Sequence, residues 1–409
     1  MLSGDGLIVR LRLSCGDISP ALAAEISDCA QRYGNGVIDL SGRGNLQIRG
    51  VSEATWGPLI ERLSAGGLVD VSTEAEAVRN VLVSPFAGFF PDTPDVRPTA
   101  RALEAVLGED RALWRLPSKF GFSIDAGAFP LGDFRADVAF EAADDGACWV
   151  RLAGAEDRPL GPFATGRVVA VARDVAALFL ASRDSETAPP RRLRDLVRDA
   201  GIDALSERLG LPAAERKPPP QARRPRDFLG YHETAGGCFV GAGLPFGRTT
   251  AREFAALAKL GAAAGAQSLR LTSWRAIVIL GVAPPRAAAL VSGLKGLGFI
   301  LDADDPRLWV AACPGAPDCT SSSIRTREIA QSLAPFVAGA GGTLHVSGCA
   351  KGCAYPRAAP LTVVGSGGRF DLVLGGKADA APALSGLDRE ELIGELARRL
   401  RPSAETNIQ

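Results

Sequence analysis

The sequence predicts an α+β fold made of two similar halves, each followed by a longer α/β segment. The first observation behind this prediction is an internal repeat, because residues 36–51 and 267–282 align without a gap. The second is the setting of the repeated block, since each copy follows an alternating strand pattern and then a helical stretch. The third is a charged, proline-rich stretch at 215–226, whose prolines exclude a helix and whose charges resist burial.

In each half, the sequence pattern predicts a strand, a helix, a pair of strands, a second helix and a last short strand, which together form a βαββαβ-type unit. The first half has a strand at 7–13, a helix at 20–33, strands around the repeated block and a helix at 56–65. The second half has the corresponding elements at 238–244, 251–265, 267–282 and 286–297. The predicted boundaries are 1–72 and 227–301 for the halves, 73–214 and 302–409 for the α/β segments, and 215–226 for the linker. Two similar halves imply duplication followed by divergence.

Composition and charge exclude several classes of protein. The 46 basic side chains balance 46 acidic ones, which argues against a general nucleic-acid binder. The longest apolar run, at 168–181, contains Arg173 and Asp174 and is too short for a membrane span. The first residues do not have the pattern of a secretory leader. We therefore expect a soluble, cytoplasmic protein.

Four of the eight cysteines form two spaced pairs near the end of the chain. Five residues separate Cys313 from Cys319, and three separate Cys349 from Cys353. Four thiolates are the usual ligands of a cubane iron–sulfur cluster, and structural zinc more often uses pairs separated by two residues. The pattern therefore favours a cluster, while disulfides and inert buried cysteines remain alternatives. The remaining cysteines are isolated and are interpreted as core or incidental positions: Cys15, Cys29, Cys148 and Cys238.

Polar side chains alternate along the first repeated block. Arg43, Asn45, Gln47 and Arg49 fall at every second position, so in a strand they would share one face, opposite Leu46 and Ile48. A guanidinium binds both oxygens of a carboxylate, so the set indicates a polyanionic ligand. Further donors are Arg79, Asn80, Lys119 and Arg275. The alternative is a solvated sheet face without a ligand.

These motifs together resemble the nitrite/sulfite reductase superfamily over almost the whole chain. The resemblance lies in Ser-Gly-Arg-Gly-Asn-Leu-Gln-Ile-Arg-Gly-Val at 41–51, Arg-Asn-Val at 79–81, Leu-Pro-Ser-Lys-Phe at 116–120 and the two cysteine pairs. It implies duplicated ferredoxin-like half domains, each followed by a reductase-type α/β domain, in a pseudo-two-fold arrangement. It further implies a [4Fe-4S] cluster on the four cysteines and an anionic tetrapyrrole held by Arg and Lys. In the reductases the last cysteine, here Cys353, bridges to sirohaem iron.

Two departures favour the precorrin-3B synthase branch of this superfamily, which belongs to cobalamin biosynthesis. The cysteine loops at 312–321 and 345–356 are closer to that branch. Gly121 stands where sulfite reductases often have a second lysine. The reaction that this branch implies uses dioxygen and reducing equivalents to hydroxylate precorrin-3A at C20, with closure of a γ-lactone on ring A. The alternatives are a sirohaem-containing nitrite or sulfite reductase and a tetrapyrrole carrier without oxygen-dependent chemistry.

Oxygen activation in this branch also implies a mononuclear non-haem iron. Only two histidines occur, and His232 is the candidate ligand, with a backbone-bonded strand residue as its alternative. His345 precedes the second cysteine pair and is as well suited to orienting that loop. No G-x-G-x-x-G fingerprint follows a strand, so we expect NAD(P)H-derived electrons to arrive through an external ferredoxin or reductase. The duplication already encloses a site within one chain, so we expect a monomer.

Overall fold

The computed structural model describes residues 2–127, 131, 136–143, 145–185, 189–214, 224–337 and 342–400. In chain order the strands are β1 Leu2–Ser3, β2 Gly6–Leu11, β3 Asp17–Ile18, β4 Val37–Leu40, β5 Leu46–Val51, β6 Val81–Val83, β7 Phe122–Asp125, β8 Val138–Ala142, β9 Ala147–Leu152, β10 Leu160–Ala164, β11 Gly230–Thr234, β12 Gly237–Gly243, β13 Arg248–Thr250, β14 Ser268–Leu271, β15 Ala276–Leu280, β16 Val310–Ala312, β17 Leu344–Ser347, β18 Ala359–Ser366, β19 Arg369–Gly376 and β20 Leu384–Leu387. The helices are α1 Pro20–Tyr33, α2 Glu53–Ala65, α3 Thr73–Val78, α4 Arg97–Glu109, α5 Val168–Ser185, α6 Leu193–Ala200, α7 Ile202–Leu209, α8 Ala251–Ala263, α9 Pro284–Gly296, α10 Thr326–Val337 and α11 Arg389–Arg399.

Helix α1 has the bounds that the sequence predicts, because its start and its buried face are encoded locally. The Ser19 hydroxyl accepts a hydrogen bond of 3.1 Å from the Leu22 backbone N–H, and Pro20 occupies the first helical position. Ala23, Ile26 and other small or apolar residues at helical spacing are buried. Helix α1 packs against α8 of the second half, and the two halves share one hydrophobic core.

The two halves exchange short strands. The first sheet has the order β1-β2-β5-β4-β13 and the second has the order β11-β12-β15-β14-β3, so each takes its last strand from the other half. Arg248 lies opposite Asp39 in the first sheet, and Asp17 lies opposite Arg270 in the second. The exchange is therefore pseudo-symmetric and places an Arg–Asp pair at each crossing. It fixes the halves against each other through backbone hydrogen bonds.

Each half is followed by an α/β domain with a five-stranded mixed sheet. The first outer sheet has the order β10-β9-β8-β7-β6 and the second has the order β16-β17-β18-β19-β20. In both sheets the first three strands along the chain are parallel and the last two are antiparallel. Carboxyl ends of parallel strands meet at one edge of a sheet, where ligands of open α/β sheets usually bind. In the second outer sheet the cysteine loops leave from this edge.

Three sequence-based expectations about local structure are corrected or fall outside the described residues. Arg43 and Asn45 lie in the turn between β4 and β5, not in a strand, because β5 begins at Leu46. The predicted last strand of each half is wrong within the described residues. The chain enters α3 after α2, and Ile300 forms only an isolated bridge with Gly243 after α9. Strands β1 and β11 lie at that edge of the two sheets, next to β2 and β12, and the exchanged strands lie at the opposite edges.

The predicted linker at 215–226 lies mostly outside the described residues, which resume at 224. Among the helices that the structure describes, none combines the length and the apolar character needed to cross a bilayer.

Candidate functional site

The two cysteine loops come together at the carboxyl edge of the second outer sheet. Cys313 directly follows β16, and Cys349 and Cys353 follow the adjacent parallel strand β17. The Gly348 backbone N–H donates to Cys313 Sγ at 3.2 Å, which joins the two loops. The Ser347 hydroxyl donates to the Cys349 carbonyl at 2.7 Å and holds the turn that begins the second loop. The topology thus brings together cysteines that are far apart in sequence.

All four of these thiols are free and lie within electrostatic reach of one another. Burial, followed by the charges of Cys313, Cys349 and Cys319, raises the pKa of Cys353. Cys313 is buried and Cys353 is exposed, so the set extends from the domain interior to its surface. In the part of the chain that the structure describes, no three His, Cys, Asp or Glu side chains converge closely enough for a single metal ion. An all-sulfur donor set spread in this way fits a cluster better than a zinc ion.

A second site is a small, partly open pocket in the first half. Its lining includes four of the predicted tetrapyrrole residues, Arg43, Asn45, Arg79 and Asn80, together with Arg12. Arg12 follows β2, Arg43 comes from the β4–β5 turn and Arg79 ends α3. The size suits a carboxylate-bearing edge of a ligand better than a whole macrocycle.

Arginines outnumber acidic side chains in the lining of this pocket, which contains Arg12, Arg43 and Arg79 beside Glu104, and Asp70 binds Arg79 through two hydrogen bonds of 2.6 and 2.9 Å. Burial, followed by the charges of Arg12, Arg192 and Arg10, lowers the pKa of Arg43. Arg12 Nε donates to Glu76 Oε1 at 2.5 Å, and burial still lowers the pKa of Arg12. Guanidinium groups whose protonated forms are disfavoured by one another gain from a bound anion. The pocket is therefore suited to a carboxylate ligand.

Asn80 connects the pocket arginines to the segment that contains Lys119. Its Oδ1 accepts hydrogen bonds from the guanidinium groups of Arg12 and Arg43, the latter at 3.3 Å. Its Nδ2 donates to the carbonyls of Ala77, Ser118 and Phe120 at 2.8, 3.1 and 3.1 Å. The side chain amide is thus fully used within the protein. Asn80 positions the arginines and does not have a donor left for a ligand.

The other predicted donors have different surroundings. Lys119 has an exposed side chain, and its carbonyl accepts from Arg43 Nη2 at 3.4 Å, so it borders the pocket. Gln47 is half-buried in β5, opposite Arg10 and Asp39 on the neighbouring strands. These placements keep Lys119 beside the pocket and set Gln47 within the sheet.

Arg49 and Arg275 are not among the residues that line the pocket. Arg49 is only 1 % exposed and pairs with Asp5 and Asp39. Arg275 has a left-handed φ of 61° in the β14–β15 turn, and its side chain crosses Gly247. A Cβ on Gly247 would lie 2.7 Å from Arg275 Cδ, which accounts for glycine there.

The two histidines do not fit a shared iron site. His232 Nε2 lies 2.9 Å from the Leu229 carbonyl oxygen, and its ring stacks on Phe239 with centroids 4.6 Å apart. This is the backbone-bonded arrangement that the sequence left as an alternative. His345 is fully buried beneath the second cysteine loop, and neither ring nitrogen has a hydrogen-bond partner. Within the described residues, the two histidines therefore do not supply a pair of ligands for a mononuclear iron.

Sequence reasoning missed Arg12 and Asp318. Arg12 had a usable signal, because Arg10 and Arg12 fall at alternate positions of a predicted strand and so point to one face. Asp318 lies inside the first cysteine loop, where its carbonyl contacts Arg49 of the first half and its carboxylate contacts Arg248 of the second half. No local pattern indicates that contact, because it depends on how the domains assemble.

Comparisons with known proteins give consistent relatives. The model of the nitrite/sulfite reductase ferredoxin-like half domain matches residues 1–66 and 232–297, once in each half. A precorrin-3B synthase from Sinorhizobium sp. is 32% identical over 94% of this chain and 82% of its own length. A ferredoxin–nitrite reductase from Synechococcus elongatus is 28% identical over 90% of this chain and 80% of its own length.

A solved structure of the Mycobacterium tuberculosis NirA protein has the same fold. The TM-score is 0.77 at 23% identity, and the match covers 98% of this chain and 82% of that one. The duplicated α+β architecture, with each half followed by an α/β domain, is therefore shared over almost all of this chain and most of the solved one.

Proposed function

The chain belongs to the family that contains precorrin-3B synthase and the nitrite and sulfite reductases, and we propose that it is a precorrin-3B synthase. The reaction is an oxygen- and reductant-dependent hydroxylation of precorrin-3A at C20, with an acetate side chain closing a γ-lactone on ring A. The observation that carries the proposal is the 32% identity with a precorrin-3B synthase over 94% of this chain. Gly121, in place of a second lysine, supports a site that differs from that of a sulfite reductase.

Substrate binding is assigned to the arginine pocket. Precorrin-3A carries many carboxylates, and Arg12 and Arg43 supply guanidinium groups at one place, beside Arg79, whose guanidinium is already paired with Asp70. Asn80 holds Arg12 and Arg43 in position, so carboxylate binding does not require these side chains to become ordered first. Lys119 borders the same pocket and adds a mobile positive charge. These residues orient the macrocycle by its acidic edge.

Cys313, Cys319, Cys349 and Cys353 would hold a [4Fe-4S] cluster, as their free thiols and all-sulfur donor set support. Such a cluster transfers electrons one at a time when it is bound. For each dioxygen, two electrons and two protons are consumed, one oxygen atom enters the substrate and the other leaves as water. The electrons come from an external ferredoxin or reductase that draws on NAD(P)H. The chain's own contribution is to bind and orient the substrate.

The experiment is a turnover assay on protein purified without oxygen from a host that makes sirohaem. Iron, sulfide and the absorption spectrum are measured first, and precorrin-3A, a reductant and isotopically labelled dioxygen are then added. We expect a broad iron–sulfur spectrum without porphyrinoid bands and a product that gains one labelled oxygen atom. Iron and sulfide in equal amounts would indicate the cluster alone, and excess iron would indicate an additional iron centre.

The alternative is a sirohaem-containing nitrite or sulfite reductase, which the 28% identity to a nitrite reductase favours. Bound sirohaem and reduction of nitrite or sulfite would establish that function instead. A protein that bound precorrin-3A but gave no oxygen-dependent product would be a carrier.

A further inference from the structure

The first cysteine loop is attached to the first half through one carbonyl group. The Asp318 carbonyl, directly before Cys319, accepts hydrogen bonds from Ser3 Oγ at 2.5 Å, Gly4 N at 3.1 Å and Arg49 Nη2 at 3.0 Å. Three donors converge on an oxygen with two lone pairs, so its hydrogen-bonding capacity is saturated. All three belong to the hairpin β1–β2 or to β5, far from the cysteines in sequence.

Charged side chains around Arg49 stabilise its contact with the Asp318 carbonyl. Arg49 binds Asp5 through two hydrogen bonds of 2.9 and 2.7 Å and reaches Asp39 at 3.3 Å. Arg248, on the exchanged strand β13, binds Asp39 at 2.7 and 2.9 Å and also binds the Asp318 carboxylate. A buried arginine with carboxylate partners on several sides has little freedom to move. The guanidinium of Arg49 is therefore fixed against the loop.

Close backbone packing leaves the loop little room to shift. A Cβ placed on Gly4 would lie 2.3 Å from the Pro317 carbonyl oxygen and 3.1 Å from the Asp318 carbonyl carbon. These are backbone atoms, which cannot rotate away as the end of a flexible side chain can. Only glycine at position 4 allows the hairpin to approach the loop this closely.

We propose that Arg49 and the β1–β2 hairpin form a clamp that positions Cys319 for the cluster, so that Arg49 acts on the cluster site and not on the tetrapyrrole. The inference rests on the proposed cluster. Groups that hold the segment next to a ligand set the orientation of that ligand and the affinity of the metal site. The clamp also removes the entropic cost of ordering the loop when the cluster is inserted. Arg43 and Arg49 lie in the same repeated block but serve different sites.

The test compares variants of the clamp with matched controls. Gly4→Ala places a methyl group against the backbone of the first cysteine loop. Arg49→Gln removes a donor to the Asp318 carbonyl, and Arg49→Lys is the conservative variant. Gly57→Ala is the glycine control, because nothing lies within 4 Å of a Cβ there. Arg43→Gln is the arginine control in the pocket. The measurements on purified holoprotein are cluster loss under an iron chelator, the midpoint potential, binding of uroporphyrin as a carboxylated probe, and the melting temperature.

We expect Gly4→Ala and Arg49→Gln to lose the cluster about tenfold faster and to shift its midpoint potential, with uroporphyrin binding retained. Arg49→Lys should partly restore both properties, and Gly57→Ala should match the unaltered protein in cluster loss and midpoint potential. Arg43→Gln should weaken uroporphyrin binding without changing cluster loss. A merely structural role would lower the melting temperature but leave the potential unchanged.

The inference is overturned if Arg49→Gln weakens uroporphyrin binding as much as Arg43→Gln does while cluster loss and potential stay normal. If Arg49→Gln does not fold, Gly4→Ala and Ser3→Ala decide, and normal cluster retention in both would also overturn it. Unaltered protein without iron and sulfide would refute the cofactor assignment itself and the inference with it. That result is obtained before any variant is made, so the two failures are distinguishable.

Discussion

At the scale of single residues, several side chains that look like ligand contacts are used inside the protein. The Asn80 amide binds two arginines and three carbonyls, and the Arg49 guanidinium binds Asp5, Asp39 and the first cysteine loop. Such residues position others and affect binding indirectly. Among the described residues that line the pocket, Arg43 and Arg12 are the two whose pKa is lowered.

Replacing Asn80 should therefore cost both stability and binding. We expect Asn80→Ala to lower the free energy of unfolding by about 3 kcal/mol, because buried carbonyls and guanidinium groups lose their partner. Uroporphyrin binding should weaken, since Arg12 and Arg43 are no longer held. Urea denaturation and a binding titration provide the measurements, with Asn45→Ala in the same pocket as the control. Equal stability of the two variants would contradict the positioning role.

His345 gives a pH dependence with a definite sign. Burial lowers the pKa of His345 from its usual 6.5 to about 4, so the imidazole is neutral in the folded chain at neutral pH. The unfolded chain binds a proton more readily between these values, so the stability is fully present above about pH 6.5 and is lost as the pH falls toward 4.

For the cluster-free chain, lowering the pH from about 7 to about 5 should cost about 1–2 kcal/mol through this one residue. His345→Leu should not show this part of the loss. The measurement is urea unfolding of both proteins at the two pH values. An unchanged pH dependence in His345→Leu would show that other groups cause the loss.

At the scale of elements, the sequence predicts the elements that have local signals, but it does not predict the exchange of strands between the halves. Helix α1 was predicted with its final bounds because its cap, its proline and its apolar spacing all lie within it. The two cysteine pairs are recognisable for the same reason, from their spacing, and their role as cluster ligands stays a prediction. The pairing of Arg248 with Asp39 joins residues 209 positions apart, and strands of three residues have no recognisable sequence pattern.

The partners of Arg49 could not be predicted from its place in the strand, for a related reason. Alternation correctly separated polar from apolar positions in β5, since Leu46 and Ile48 are buried in the core. Alternation does not show whether a polar side chain meets solvent, a ligand or another domain. Here Asp5 and the Asp318 carbonyl arrive from separate segments and take up Arg49.

The exchanged strand makes Asp39 a key residue of the interface between the halves. Its carboxylate binds Arg49, Arg248 and Arg327, which together hold its pKa below the usual value despite its burial. We expect Asp39→Asn to lower the free energy of unfolding by about 3–5 kcal/mol, because it leaves buried guanidinium groups without their counter-charge.

The matched variant is Asp17→Asn at the other crossing, where the carboxylate is more exposed and also binds Arg97. We expect a smaller loss there, measured by urea denaturation of both proteins. A larger loss for Asp17→Asn would contradict the greater importance of the first crossing.

At the scale of the whole molecule, the two halves differ in one face of their sheets. In the first half this face carries polar side chains, and in the second half apolar side chains cover it. The ungapped repeat places Trp274, Ala276, Val278 and Leu280 where the first half has Arg43, Asn45, Gln47 and Arg49. The same alignment places Gly243 where the first half has Arg12. Polar donors of the first half thus correspond to apolar or minimal side chains in the second.

Aromatic rings fill the corresponding face of the second half. Phe86 packs against Phe228 and Phe239 with ring centroids 5.0 Å apart in both pairs, and Val278 and Leu280 join this cluster. A Cβ on Gly241, the counterpart of Arg10, would lie 1.9 Å from the Phe228 carbonyl oxygen. The backbone of Phe228 therefore occupies the space into which an arginine would project.

We accordingly expect one carboxylated tetrapyrrole to bind per chain. Leu280→Arg, at the position that corresponds to Arg49, tests whether the second face can accept a charged side chain. It should lower the free energy of unfolding by more than about 4 kcal/mol, because it buries an unpaired charge in an aromatic cluster. Calorimetric titration with uroporphyrin gives the stoichiometry, and urea denaturation gives the stability. A second equivalent bound by the unaltered chain, or a stable Leu280→Arg variant, would mean that the second face is still open to a ligand.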